Sequence, residues 1–284
     1  MSELTNFCRI LESHGIDPSS SCILDVGCGN GNFTLEVSKI FKKVVAIDSS
    51  EEGVKKMNNI LQGGENNNIS VLHLDASKLM SFGDNSFDVI LVRNSLHFVD
   101  DVAKLYDDVK FILKSHGIFI KISNPLFQLS KLMHFSFSVK FSFSVYPEDA
   151  NKSFLVNAEV RNFTETKFIK QLESYWTDRV KENFVKFCDP FRREKLPFLS
   201  TLHTYELESC QRVHIIDLKK QFKDMAVIDK FIIENGEEEF ESLYHEFLQN
   251  ILFYLDFELC DMYFEDIVFM RKDTHYIEVQ LQNR

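Results

Sequence analysis

Apolar residues come in short, nearly unbroken runs along the first half of the chain, and the runs alternate with stretches of helical spacing. Ile23, Leu24 and Val26 make the first run, Lys43–Asp48 holds the second, and Ile69–Leu74, Phe87–Val92 and Ile118–Ile122 supply three more. Runs of this length, bounded by turn residues, predict strands buried on both faces. Between them, Phe33, Val37, Ile40 and Phe41 share one helical face, as do Val54, Met57 and Leu61, and then Val102, Leu105, Tyr106, Val109 and Leu113. Leu4, Phe7, Cys8 and Leu11 predict a further helix over 4–14. Strands alternating with helices in this way predict an α/β fold with a doubly wound sheet.

From Asn124 to about Gly236 the alternation stops. Phe135, Phe137, Val139, Phe141, Phe143 and Val145 keep a period of two with polar residues between them, which predicts a half-buried strand or strand pair. Phe168, Leu172, Trp176, Val180, Phe184 and Phe187 then recur at helical spacing, and helices are predicted around Glu206–Met225 and Ala226–Glu234. Phe240, Leu243, Tyr244, Phe247 and Ile251 predict a helix ending near Phe257. Glu258–Phe264 and Ile267–Met270 read as two strands, with Ile277–Leu281 as a short additional one. The expected organisation is a core of 1–123 and 237–284, with 124–236 inserted after the fifth strand as a lid or substrate region.

The chemistry is written in Asp25-Val26-Gly27-Cys28-Gly29-Asn30-Gly31, directly after the first strand. Glycines between a strand and a helix N-terminus let backbone approach a ligand and leave N–H groups free to meet it. The dinucleotide fingerprint G-x-G-x-x-G needs a third glycine where this chain has Asn32, so that reading fails. Asp48 stands at the carboxyl end of the second strand, where an acidic side chain can accept both ribose hydroxyls of a nucleoside. Its competing role is to cap the helix that begins near Glu51.

The D-x-G-x-G-x-G pattern from Asp25 to Gly31 resembles the first motif of class I S-adenosylmethionine-dependent methyltransferases. Asp75, after the third strand, is similar to the family's acidic residue that meets the adenine amino group; the bland alternative is an N-cap or a solvated turn. Arg93-Asn94-Ser95-Leu96-His97-Phe98 resembles the fourth motif, and Leu113-Lys114-Ser115-His116-Gly117 partly keeps the family's L-K-P-G-G. The resemblance implies a seven-stranded Rossmann-like sheet with a large helical and β insertion after strand five. It implies S-adenosylmethionine as cofactor, held by Asp25, Gly27, Cys28, Gly29, Gly31, Asp48, Ser49, Asp75, Ala76, Arg93 and Asn94. His97 is the candidate general base, although a histidine beside aromatics is as readily a packed one.

Within the insertion, Tyr175-Trp176-Thr177-Asp178-Arg179 and Leu196-Pro197-Phe198 loosely resemble the trans-aconitate-type small-molecule methyltransferases. Trp176, Arg179, Arg192 and Arg193 are therefore the candidate substrate residues, Arg being suited to a bidentate grip on a carboxylate. The implied reaction is methylation of a small molecule at a carboxylate, which is already ionised at neutral pH and needs no base. The alternatives are a protein or RNA acceptor docked on the insertion, or a non-catalytic partner subunit with the same fold.

Composition narrows the field further. The 284 residues carry a net charge of −11, which weighs against nucleic acid and anionic membranes as partners and leaves a protein partner open. Phe is heavily used, with 28 copies, so aromatic packing is expected. The six cysteines show no metal-like spacing, and the polar start resembles no secretion signal, which leads to the expectation of a reduced, cytoplasmic protein without a metal.

Overall fold

A computed structural model describes residues 3–63, 67–123, 142–145, 150–168, 171, 173–174, 177–183, 186, 201–223, 225–255 and 268–281. In chain order the helices are α1 (Glu3–Ser13), α2 (Asn32–Ser38), α3 (Glu51–Gln62), α4 (Val102–Ile112), α5 (Ala150–Arg161), α6 (Asp178–Asn183), α7 (Ile215–Lys223), α8 (Ala226–Asn235) and α9 (Glu237–Tyr254). The strands are β1 (Cys22–Val26), β2 (Lys43–Asp48), β3 (Ile69–His73), β4 (Phe87–Arg93), β5 (Leu113–Ser123), β6 (Ser142–Val145), β7 (Thr201–His214) and β8 (Val268–Leu281).

The chain divides into two compact units. The first comprises Ser2–Asn124, Val180–Leu207 and His275–Arg284; the second is built from Pro125–Arg179 and Glu208–Thr274. In the first unit β1 lies between β2 and β4 in parallel, β3 flanks β2, and β5 flanks β4. The far side of β5 is paired antiparallel with residues 276–281 of β8, Ile118 facing Leu281 and Ser123 facing Tyr276. Side chains of successive strand residues point to opposite faces. Accordingly Ile118, Ile120 and Ile122 join Phe7, Ile10 and Leu11 of α1 and Phe33 and Val37 of α2 in one core. Phe119 turns the other way, its ring 5.6 Å from that of Tyr106 on α4. Helices thus cover both faces, the doubly wound arrangement expected. Local signals set the helix starts: Ser50 accepts the Gly53 N–H at 3.1 Å ahead of α3, and Asp101 accepts the Lys104 N–H at 2.9 Å ahead of α4.

The second unit is organised around rings. Phe163, in the single wide turn that continues α5, lies 4.7 Å from Phe247, 5.1 Å from Phe222 and 5.2 Å from Phe168, centroid to centroid. Val156 and Val160 of α5, Leu218 of α7, Ile228 of α8 and Ile251 of α9 complete this core. Residues 142–145 of β6 pair antiparallel with 269–272 of β8.

The expectations for the later strands change. Glu206–His214 is not helical but belongs to β7, where Tyr205 and Leu207 pack on the aliphatic core while Thr204 and Glu206 face solvent. Polar Ser209 and Gln211 hide this two-residue period in the sequence. The strands expected at 267–270 and 277–281 are one continuous strand, β8. Among the described residues the main path of paired strands has the seven members expected, and β7 pairs with β8 beside it. Among the described residues, α9 packs with α5 in the second unit, and the start of β7 packs in the first. The strand expected at Glu258–Phe264, and most of the period-two run 135–145, lie outside the described residues.

Candidate functional site

The turn from β1 into α2 is held in a shape only glycine accepts easily. Gly27, Gly29 and Gly31 have φ of 74°, 58° and 81°, in the left-handed region. Gly27 is also pressed from outside: a Cβ there would stand 2.4 Å from the Ser95 Cβ. Ser95 is fixed in turn by its hydroxyl, which donates to the Val26 carbonyl at 2.8 Å. Around Gly29 nothing lies within 4 Å of where a Cβ would be, so this part of the loop faces open space.

Asp48 braces the loop. Its Oδ2 accepts the Gly29 N–H at 2.7 Å and its Oδ1 accepts the Ser50 N–H at 2.8 Å. A carboxylate has about four acceptor positions. Two are taken by backbone, and two are left for other donors. The Gly27 and Cys28 N–H groups both donate to the Ile47 carbonyl, at 2.9 and 3.1 Å, which fastens the loop to β2.

Asp25 lies beneath, only 2% exposed, and its Oδ2 accepts the Thr34 hydroxyl at 2.6 Å. Burial pushes its carboxyl up to about 6; the Thr34 hydrogen bond and the nearby Arg93 charge oppose the rise, and Asp48 adds to it. Burial, with Asp25 and Asp48 adding to it, also drives the Cys28 thiol upward, so it stays protonated and is no nucleophile.

Arg93 is engaged with protein. Its Nε and Nη2 donate to the two carboxylate oxygens of Glu3 at 2.8 and 2.9 Å, and its guanidinium carbon lies 4.9 Å from the Phe33 ring centre. The pair ties α1 to the end of β4, a role that the sequence reading of Arg93 as a cofactor contact did not foresee. Asn94 follows with φ 53°, unusual outside glycine, and its N–H donates to the Ile122 carbonyl at 2.9 Å.

Asp75 caps a 3-10 turn (Ala76–Phe82): its Oδ1 accepts the Ser77 N–H at 2.8 Å, and this bonding holds its carboxyl below the usual range. The capping role anticipated as its alternative is therefore present. Ser49 is exposed and Ala76 half-buried. His97 is 2% exposed on the turn Leu96–Phe98, its ring 4.2 Å from that of Phe98. Asn183 of α6, which nothing in the sequence marked, donates from Nδ2 to the Val99 carbonyl at 2.8 Å and reaches the His97 carbonyl at 3.5 Å. Another unforeseen feature is the buried ion pair of Lys121 on β5 with Glu278 on β8, at 2.8 Å.

The structure thus brings Asp25, Gly27, Cys28, Gly29, Gly31 and Asp48 together at the carboxyl edge of β1 and β2, with Arg93, Asn94 and Ser95 beside them at the end of β4. Arg179 is exposed on α6; Trp176, Arg192 and Arg193 lie outside the described residues. No group of three or more His, Cys, Asp or Glu side chains forms a metal centre among the described residues, and none of their helices is long and apolar enough to cross a membrane.

Residues 24–121 match the family profile described as a methyltransferase domain. A demethylmenaquinone methyltransferase of Staphylococcus saprophyticus is 25% identical over 167 residues, 54% of this chain and 68% of that protein. The uncharacterized methyltransferase YcgJ of Bacillus subtilis is 29% identical over 102 residues, 36% of this chain and 40% of that protein. The rat mitochondrial arginine-hydroxylase NDUFAF5 is 30% identical over 98 residues, which span 34% of this chain and 27% of its own length. Among solved structures, a candidate type II methyltransferase from Anaeromyxobacter dehalogenans shares the fold, with a TM-score of 0.59 over 98% of this chain and 97% of that one, at 15% identity. The sequence motif, the sheet and the family match coincide on one stretch: residues 24–121 are similar to a methyltransferase domain.

Proposed function

We propose that this domain binds S-adenosylmethionine and transfers its methyl group to a small molecule, with a carboxylate as the acceptor. The observation that carries the cofactor assignment is the Gly29 turn, open to space where a Cβ would stand and braced from behind by Asp48. The residues fit the group. Asp48 keeps two acceptor positions for ribose hydroxyls, Asp25 offers buried negative charge for a cationic ligand, and the glycine loop offers close backbone approach. Asp75 and Asn94 would complete the binding edge. When bound, the cofactor supplies a methyl group activated by a sulfonium. The chain's task is to orient the acceptor for in-line attack and to keep water away.

The state of His97 supports the carboxylate reading. A general base must reach the proton it removes, and this imidazole is buried against Phe98. A carboxylate acceptor has no proton to lose at neutral pH. The relatives bear on the acceptor only by analogy. One is named for a quinone-type small molecule, and another for arginine hydroxylation, so the shared stretch alone does not dictate the chemistry.

Two measurements test the proposal. Asp48→Ala should weaken binding of the demethylated cofactor product by about 1.5–3 kcal/mol per lost charge-assisted bond, read by calorimetry; unchanged affinity removes Asp48 from the site. Radiolabelled methyl groups transferred to a metabolite extract should return as methanol in mild base, as an ester requires. A base-stable product would replace the carboxylate with an amine or hydroxyl and return attention to His97.

A further inference from the structure

The carboxyl end of α1 meets the start of β7, which is remote from it in sequence. His14 Nε2 lies 3.0 Å from the Tyr205 phenol oxygen, across a sequence separation of 191. The His203 ring stands beside them, its centre 4.9 Å from that of His14, with the planes inclined at 65°. His203 and Tyr205 are two apart on one strand and so share a face. His203 is exposed, and His14 and Tyr205 are half-buried. Three side chains that ligate metals therefore converge at one accessible place.

The distances suit a metal ion. Two imidazoles that share a tetrahedral ion at about 2.0–2.1 Å per nitrogen have ring centres about 5 Å apart. Two donors on one such ion lie about 3.3 Å apart, so His14 and Tyr205 need separate by only a few tenths of an ångström. Imidazole is a preferred ligand for Zn, Cu and Ni, while Mg and Ca favour all-oxygen sites. We propose that His14, His203 and Tyr205 form a binding site for a transition-metal ion of the zinc class that clips α1 to β7. Two imidazoles and a phenol leave a coordination position to water, so the site is an open and exchangeable one. A clip that closes so long a loop restricts the unfolded chain and favours the folded one.

The test is a calorimetric titration of the full chain with Zn2+ alone, with Mg2+ as control, alongside melting curves. One Zn2+ should bind per chain, Mg2+ should not bind at this position, and the melting temperature should rise with Zn2+ concentration. His203→Ala, at an exposed ring, should leave the metal-free circular dichroism unchanged and weaken Zn2+ binding by at least about tenfold. Tyr205→Phe should weaken it less. The cysteines are untouched in these variants, so Zn2+ bound equally well by wild type and His203→Ala belongs to thiols and overturns the proposal. Absence of saturable Zn2+ binding to the wild type overturns it as well.

Discussion

The two units solve the same packing problem with different side chains. Among the described residues, three of the fifteen buried members of the first unit's α1–α2 face are aromatic, against eight of seventeen in the second unit's core. The first is a ladder of Ile, Val and Leu on parallel strands, where backbone hydrogen bonds set the register and each side chain fills a modest volume. The second has Phe163 at the meeting of five aromatic neighbours, so much of its burial depends on a few large rings. The polar chemistry sits with the ladder. Parallel strands deliver several loops to one edge, while a ring cluster gives no such convergence.

The largest test of this contrast is Phe163→Ala. Removing the ring from the middle of its neighbours should cost about 3–5 kcal/mol, seen in urea unfolding followed by circular dichroism. Ile118→Val in the aliphatic ladder should cost only about 0.5–1.5 kcal/mol. Equal losses would erase the distinction between the two cores.

A second test compares glycines within the ladder unit. Gly27→Ala combines a left-handed φ with collision against Ser95, and about 2–4 kcal/mol should be lost. Gly29→Ala meets only the backbone penalty, about 1–2 kcal/mol, but places a methyl group in the open space assigned to cofactor. Stability should therefore suffer more at Gly27. Binding by the folded protein should suffer more than stability at Gly29. Reversal of either order would break the assignment of one glycine to structure and the other to ligand.

The third concerns Asp25. Its folded carboxyl titrates near 6, above the ordinary 3.8. Between these values the folded chain binds more protons than the unfolded one, so this group's contribution to stability falls as pH rises, and its cost is complete above pH 6. Asp25→Asn should stabilise the ligand-free protein at pH 7 by up to about 3 kcal/mol and flatten the slope between pH 4 and 6. Urea midpoints at pH 4.5 and 7 decide it. A destabilised Asn variant would mean that the contacts of the charged form outweigh its burial.

These differences also explain what could be read in advance. β1, β2 and β4 were legible because buried parallel strands are continuous apolar runs, and Asp48 was legible because it ends one of them. β7 was not, since Ser209 and Gln211 interrupt its alternation. The local turn at Asp75 was open to a cap reading, and that cap is what forms. Arg93 could not be assigned from its neighbours, because its partner Glu3 lies 90 residues away. The same holds for Asn183 against Val99, 84 residues apart. Local pattern names elements; only tertiary pairing names the partners of long polar side chains.

The pairing of β5 with β8 has a consequence during synthesis. Ile118 must wait for Leu281 to leave the ribosome before its strand has a neighbour on that side. Until then β5 offers an open, strongly apolar edge to any other nascent chain, the condition under which strands aggregate. Lys121, placed among Ile120 and Ile122, puts a charge on that strand before Glu278 arrives to pair with it. The ion pair that is buried in the finished sheet is thus, earlier in the molecule's life, a gatekeeper that discourages premature partners and then accepts the right one.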